Sequence, residues 1–180
     1  MRGSIMKPVD SLSLESVVDE PLRFSTELAV TAEAIDREPL LALSPLRMTG
    51  EVMRIEGGYA FTAELAYEGE LECSRCLAGY PFRQDEAFSL VLYPRRPARE
   101  ELELSKPDLD ALYYDEPLVR LAPIAEERVQ MALPMKPLCR PDCRGLCAGC
   151  GKDLNLGPCA CVRDEIDPRW EALRGLREKV

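Results

Sequence analysis

Every second residue from Tyr59 to Leu71 is apolar or small: Tyr59, Phe61, Ala63, Leu65, Tyr67, Gly69 and Leu71, with mostly polar residues between them. Side chains along a strand point alternately to opposite faces, so this pattern predicts a strand with one buried face. Upstream, Leu46 to Ile55 alternates through Leu46, Met48, Gly50 and Val52, then slips by one residue at Met53 and Ile55, which predicts a bulge. Gly57-Gly58 lies between the two segments and tolerates the positive φ of a tight hairpin turn. Leu22 to Val30 alternates less cleanly. Tyr80 to Tyr93 carries Phe82, Phe88, Leu90 and Leu92 on one side and reads as a further strand. Together these segments predict an antiparallel sheet or open barrel.

Beyond Tyr93 the periodicity is lost. Pro94, Arg95, Arg96, Pro97, Arg99 and Glu100 predict a loop, with a short strand around Leu102 and Leu104. Asp108 to Glu116 is acidic, with Tyr113 and Tyr114 embedded in it. From Ile124 to Leu133 the apolar spacing becomes helical. Pro123 suits a first helical turn, where its missing N–H has no partner to lose, Glu126 and Glu127 suit the positive end of the helix dipole, and Pro134 ends the element. A short last helix is predicted from Pro168, with Asp167 as its N-cap and Trp170, Leu173 and Leu176 on its apolar side. The predicted class is α+β: an antiparallel sheet or open barrel, then a helix, then a cysteine-rich metal-binding tail with a short C-terminal helix. The expected division is a β-rich domain over residues 8–121, carrying a CxxC turn, and a helix plus tail over residues 122–180.

Composition narrows the chemistry. At 180 residues and 46% apolar the chain can bury a core, and no apolar run approaches the ~20 residues of a membrane span. The first twenty residues include Asp10, Glu15, Asp19 and Glu20 and do not read as a secretory leader, so a cytoplasmic location is expected. Thiols stay reduced there and serve as metal ligands or catalysts more often than as disulfides. Histidine is absent, which removes the commonest acid–base group at neutral pH and leaves sulfur, with carboxylate, as the only side chains for a metal. The net charge of −9 is uneven: from Cys139 to Val180 there are eight Lys/Arg against seven Asp/Glu, and before Cys139 fifteen against twenty-five. An acidic body disfavours a broad phosphate-coating face and favours basic partners, of which ribosomal proteins are one class; solubility alone is the simpler explanation.

Six of the eight cysteines fall in one short segment, as Cys139-x3-Cys143-x3-Cys147-x2-Cys150-x8-Cys159-x-Cys161, and the other two, Cys73 and Cys76, form a CxxC upstream. Tetrahedral zinc takes four thiolates, so eight cysteines make two closed structural Zn2+ sites with none left over. Cys147, Cys150, Cys159 and Cys161 close a short loop at little entropic cost, which leaves Cys139 and Cys143 for Cys73 and Cys76 and would clamp the tail to the β domain. Pairing the two CxxC turns with each other is the rival arrangement, and a single metal with several free thiols is the third. An iron–sulfur cluster is the alternative metal group.

Each four-thiolate zinc centre has a formal charge of −2, and Lys136, Arg140, Arg144, Lys152 and Arg163 are interleaved with the cysteines. They offset that charge, or else touch RNA phosphates or a protein partner. A redox dithiol at Cys73 and Cys76 would need a helix start to lower the thiol pKa, yet Gly79 and Pro81 follow. No catalytic triad, phosphate-cradling loop or HExxH is present. Asp108/Asp110 and Glu126/Glu127 read as solvated charges. No catalytic residue and no small-molecule substrate are expected.

Cys73-Ser74-Arg75-Cys76-Leu77, the run from Ala132 to Cys139, Asp142-Cys143-Arg144-Gly145-Leu146-Cys147, Cys150-Gly151, Asn155, Cys159-Ala160-Cys161 and Asp167-Pro168-Arg169 together resemble the bacterial YceD family, the large ribosomal RNA subunit accumulation proteins. The resemblance runs from about Leu46 to Leu176. It implies a non-enzymatic ribosome biogenesis role in synthesis, processing or stability of large-subunit ribosomal RNA, with that RNA or a basic ribosomal protein as partner. Two other readings make different predictions. A zinc-dependent interaction module unrelated to the ribosome would bring down neither ribosomal proteins nor RNA. A thiol oxidoreductase would present an accessible, low-pKa thiol at Cys73 or Cys76.

Overall fold

A computed structural model of the chain describes residues 10–94 and 111–161. Its strands are β1 (Ser11–Ser13), β2 (Leu22–Leu28), β3 (Leu40–Leu43), β4 (Leu46–Ile55), β5 (Gly58–Glu72), β6 (Gly79–Pro94), β7 (Ala111–Tyr114) and β8 (Leu118–Arg120); its helices are α1 (Ala32–Ile35) and α2 (Leu121–Ala132). A six-stranded sheet runs β2-β4-β5-β6-β7, with β3 also pairing to β5, and a separate two-stranded sheet joins β1 to β8. Among the described residues the large sheet ends at β2 and β7. The class is α+β.

The strict alternation of β5 maps onto the observed faces: Phe61, Leu65, Tyr67 and Leu71 are buried while Thr62, Glu64, Glu68 and Glu70 are exposed. The long β5–β6 hairpin pairs from Tyr59↔Leu92 to Glu72↔Gly79, and the Cys73–Ala78 segment is its turn. The bulge predicted near Met53 is absent. β4 pairs with β5 in unbroken register from Arg47↔Ala66 to Ile55↔Gly58, and Met53 is simply an exposed apolar residue on the outer face. The register shift lies instead in β3, between Leu40 and Ala42. The β4–β5 turn is Glu56-Gly57, with Gly57 at φ +80°, rather than Gly57-Gly58. Gly58 begins β5, where an added Cβ would run into the Leu92 carbonyl oxygen, so close strand approach explains the second glycine.

Several elements differ from the sequence expectation. Helix α2 begins at Leu121, a turn before Ile124, so Glu126 and Glu127 lie beyond its first turn. Tyr113 and Tyr114, embedded in the acidic stretch and assigned no element from sequence, belong to β7, which pairs with β6 in parallel. The short elements β1, β3, β8 and α1 carry too little periodicity to stand out. The predicted strand around Leu102 and Leu104, Asp108, Asp110, Arg163 and the helix from Pro168 lie outside the described residues.

Among the described residues, one face of the sheet is covered and the other is open. Met48, Val52, Phe61, Leu65 and Leu92 share a buried cluster with Leu121, Ile124, Ala125, Val129 and Leu133 from α2 and its C-cap. Gln130 on α2 donates to the Ile35 carbonyl at 3.0 Å, and Arg37 donates to the Gln130 carbonyl, tying α1 to α2. Arg128 stacks 4.7 Å from the Phe88 ring centroid and stands 3.8 Å from Glu86, so the polar residues under α2 are aligned with the sheet rather than opposed to it. The last residues of α2 thus deliver the chain to Pro137, whose carbonyl accepts a 2.9 Å hydrogen bond from Ser74 in the hairpin turn. This fixed path brings the cysteine-rich tail to the CxxC.

Candidate metal centres

The eight sulfurs gather in two groups of four: Cys73, Cys76, Cys139 and Cys143, and Cys147, Cys150, Cys159 and Cys161. Within each group the sulfurs all lie within 4.8 Å of one another. All eight cysteines are free thiols. The first group joins hairpin to tail and is the hairpin centre; the second lies within the tail and is the tail centre. This is the grouping favoured on loop entropy. The two CxxC turns are not brought together.

The spacing fits a tetrahedral ion. Four thiolates at ~2.3 Å from one metal stand about 3.8 Å from each other. Cys73 and Cys143 are 3.8 Å apart, Cys76 and Cys139 3.7 Å, and Cys147 and Cys159 3.3 Å. Both groups can hold a metal ion.

The two CxxC turns have one backbone design. In the hairpin, the Cys73 N–H donates to the Ala78 carbonyl at 3.0 Å and the Leu77 N–H donates to the Cys73 carbonyl at 2.9 Å. In the tail, the Cys147 N–H donates to the Lys152 carbonyl at 2.8 Å and the Gly151 N–H to the Cys147 carbonyl at 2.8 Å. Each turn places its fifth residue in the left-handed region, Leu77 at φ +59° and Gly151 at φ +70°. Such a turn points its first cysteine and the following N–H groups inward; Gly149 donates to the Cys147 sulfur at 3.4 Å.

Crowding four thiols splits their acidities. Burial pushes the Cys73 thiol up, but backbone N–H groups of Cys139, Cys76 and Arg75 outweigh it and bring it down to about 6. The Cys147 thiol is likewise brought down to about 6 by the Cys150 N–H, the Cys159 thiol and the Gly149 N–H. Their partners move the other way. Cys139 is pushed up to about 12 by burial and by the neighbouring sulfurs Cys76, Cys143 and Cys73, and Cys161 to about 12 by Cys150 and Cys147 and then by burial. Each cluster therefore has at least one sulfur ready to carry charge and at least one that resists it, a conflict that a bound cation would resolve.

A low thiol pKa at Cys73 is the one feature shared with a redox dithiol, but access is not. Cys73 is 0% exposed and Cys76 8%, and the turn between β5 and β6 offers no helix start. Three of the cations interleaved with the cysteines, Arg140, Arg144 and Lys152, are tied into the tail. Arg140 donates to Asn155 at 2.7 Å and faces Asp142 at 3.5 Å, Arg144 reaches the Leu154 carbonyl at 3.5 Å, and Lys152 donates to the Pro158 carbonyl at 2.8 Å. Arg75 locks the hairpin to the tail by donating to the Cys143 carbonyl at 2.7 Å, while its own carbonyl accepts from the Leu146 N–H at 3.0 Å. Gly145, at φ +71°, passes so close that an added Cβ would meet the Arg75 carbonyl oxygen at 2.8 Å. Neither Arg75 nor Asn155 stands out by residue type or by spacing as part of a metal site; both fall only within the motifs that carry the family resemblance.

Residues 61–177 match the family model described as Large ribosomal RNA subunit accumulation protein YceD. The chain belongs to the YceD family. The matched span takes in most of the β5–β6 hairpin, α2 and both cysteine groups. Among similar proteins, uncharacterized proteins of Mycobacterium bovis and Mycobacterium tuberculosis are each 34% identical over 171 residues, covering 93% of this chain and 74% of the relative. An uncharacterized protein of Mycobacterium leprae is 47% identical over 47 residues, covering 26% of this chain and 21% of its own. No solved structure matches the chain. Among the described residues of this YceD protein, no helix is long and apolar enough to cross a membrane.

Proposed function

We propose that this protein is a non-enzymatic ribosome biogenesis factor that supports synthesis, processing or stability of large-subunit ribosomal RNA in the cytoplasm. In this reading Cys73, Cys76, Cys139, Cys143, Cys147, Cys150, Cys159 and Cys161 hold two structural Zn2+ ions. The observation that carries it is the coincidence in one span: the family match covers the same residues that build the hairpin turn and both four-sulfur groups. Zinc suits a closed set of four thiolates, has no redox chemistry of its own, and stabilises small folds that lack a large core. Residues 8–121 act as a β scaffold presenting the CxxC turn, and residues 122–180 as the helix and metal-bearing tail, joined through the core that α2 shares with the sheet.

The charge distribution favours a basic ribosomal protein as the direct partner, with the RNA reached through it. Arg140, Arg144 and Lys152 are engaged with tail carbonyls and carboxamide, and the acidic excess lies in the body. The test is depletion of the protein in its own cell, with large-subunit and small-subunit ribosomal RNA quantified side by side. A fall in the large-subunit species relative to the small supports the reading; an unchanged ratio overturns it.

A further inference from the structure

Asn155 lies in the loop between Cys150 and Cys159, so by sequence it belongs to the tail centre. Its side chain is spent on the hairpin centre. Nδ2 donates to the Cys143 sulfur at 3.4 Å and to Asp153 Oδ1 at 2.7 Å. Oδ1 accepts from the Arg144 N–H at 2.8 Å and from the Arg140 guanidinium at 2.7 Å. A carboxamide has two donors and two acceptor positions, and all four are used. Asp153 in turn accepts the Asn155 backbone N–H at 2.8 Å and holds the amide in orientation. The same loop is laced to the hairpin-centre side by the Leu154 N–H, which donates to the Gly145 carbonyl at 2.9 Å, and by the Leu146–Asp153 bridge.

We infer that Asn155 couples the two centres, so that filling the tail centre tightens metal retention at the hairpin centre. The inference rests on the proposal that both groups hold metal. Metal at the tail centre closes the loop from Cys147 to Cys161 and fixes Asn155 against Cys143. With the tail centre empty, the loop is free to move, and Cys143 loses an N–H donor to its sulfur. Hydrogen bonds to metal ligands set ligand orientation and donor strength, and their removal costs roughly 10–100-fold in metal affinity. Coupling of this kind is reciprocal: metal at the hairpin centre strengthens the tail centre by the same factor. Asn155 is a positioning residue, acting through Cys143.

The test uses the full chain, stripped of metal under reducing conditions and titrated with Co2+ against a competing chelator. The visible bands of four-thiolate cobalt report occupancy. Cys150→Ser/Cys161→Ser disables the tail centre and isolates the hairpin centre; Cys73→Ser does the reverse and supplies the tail centre's own spectrum. Relative to wild type, the hairpin centre should weaken by roughly tenfold or more when the tail centre is disabled, and by a similar factor in Asn155→Ala. Combining Asn155→Ala with the disabled tail centre should add less than about twofold, because both changes remove one and the same contact. In Asn155→Ala the sulfur-to-cobalt charge-transfer bands of the hairpin centre should move to lower energy, since an N–H donor no longer stabilises the sulfur lone pair. A purely structural role would not shift them. Asp153→Ala leaves Asn155 and every cysteine in place and should weaken the hairpin centre in the same direction, so the question stays answerable even where Asn155→Ala folds poorly.

Hairpin-centre affinity that ignores the tail centre overturns the inference, as do independent, multiplying effects of the two changes or unmoved charge-transfer bands. Those results, with both centres filling in wild type, leave the metal reading standing. Wild type that takes up no cobalt at either group overturns the metal reading, and the coupling with it.

Discussion

The hairpin centre and the tail centre have the same four ligands and the same turn, and they are buried very differently. Cys73, Cys76 and Cys143 are buried and Cys139 half-buried, whereas in the tail centre Cys147 is buried, Cys159 half-buried, and Cys150 and Cys161 exposed. The contrast follows from where the ligands come from. The hairpin centre draws two from the turn of the longest hairpin and two from the tail, so forming it packs one segment on another. Its cysteines form a small core of their own, with Tyr80, Leu138 and Leu146 against it. The tail centre draws all four ligands from one stretch of chain, with no such cover among the described residues. Identical local chemistry can thus serve as a long-range clamp in one place and as a local fold stabiliser in the other.

The largest expected effect comes from breaking the clamp. Cys73→Ser should lose one of two metal ions and release the segment from Pro134 to Leu146 to proteolysis, because structural zinc binding worth on the order of 10 kcal/mol is also folding free energy. Cys161→Ser should lose one ion as well, yet leave Cys73 shielded from alkylation and the hairpin–tail junction resistant to protease. Limited proteolysis with mass-spectrometric metal counts measures both. Equal protection in the two variants would erase the distinction between clamp and local centre.

Proton release separates the centres from ordinary thiols. At pH 7 the metal-free Cys73 and Cys147, brought down to about 6, are already largely thiolate, while Cys139 and Cys161, pushed up to about 12, are thiols. Metal uptake must expel the protons of the raised pair, so affinity at both centres should rise with pH above 7 and fall as acid reprotonates the lowered pair near pH 6. For the metal-free fold the signs are opposite. A thiol lowered on folding contributes stability that is present above its ordinary value near 9 and is lost as pH falls toward 6. A raised thiol contributes stability that is present below 9 and is lost as pH rises toward 12. Calorimetric metal titration in buffers of different ionisation enthalpy counts the released protons.

Smaller effects test the shared turn. Leu77 occupies a left-handed position that Gly151 occupies in the other turn. A β-carbon there costs about 1–2 kcal/mol. Leu77→Gly should therefore leave stability unchanged or raise it by up to about 1 kcal/mol, the gain being reduced by glycine's extra freedom in the unfolded chain. Gly151→Ala, in open space but at φ +70°, should lower it by about 1 kcal/mol. Thermal unfolding of the loaded protein measures both, and a loss at Gly151 with no loss at Leu77 is the expected result.

The strands that carry the hairpin centre were legible because period-two alternation over many residues has one interpretation. Tyr59 to Leu71 became β5 with an added residue at each end. The bulge at Met53 was a misreading of one exposed apolar side chain: the strand's register is set by its continuous pairing with β5, which outweighs a single residue. Strand β7 was hidden because a four-residue parallel edge strand depends on a partner far along the chain, not on its own pattern. Cysteine spacing carried the local tail group, since a short loop favours it, and the hairpin group followed by subtraction. What no spacing carried was the role of Asn155 and Arg75. Hydrogen bonds to a ligand's sulfur or carbonyl depend on the folded position of an ordinary polar residue.

The central claim is that each group of four thiolates surrounds one ion. Native mass spectrometry combined with elemental analysis, on protein purified from its own cell without added metal, tests it most directly. Two zinc ions per chain, with eight cysteines unmodified and without disulfides, is the predicted result. A metal-free mass, or cystine links among Cys73, Cys76, Cys139 and Cys143, would contradict it.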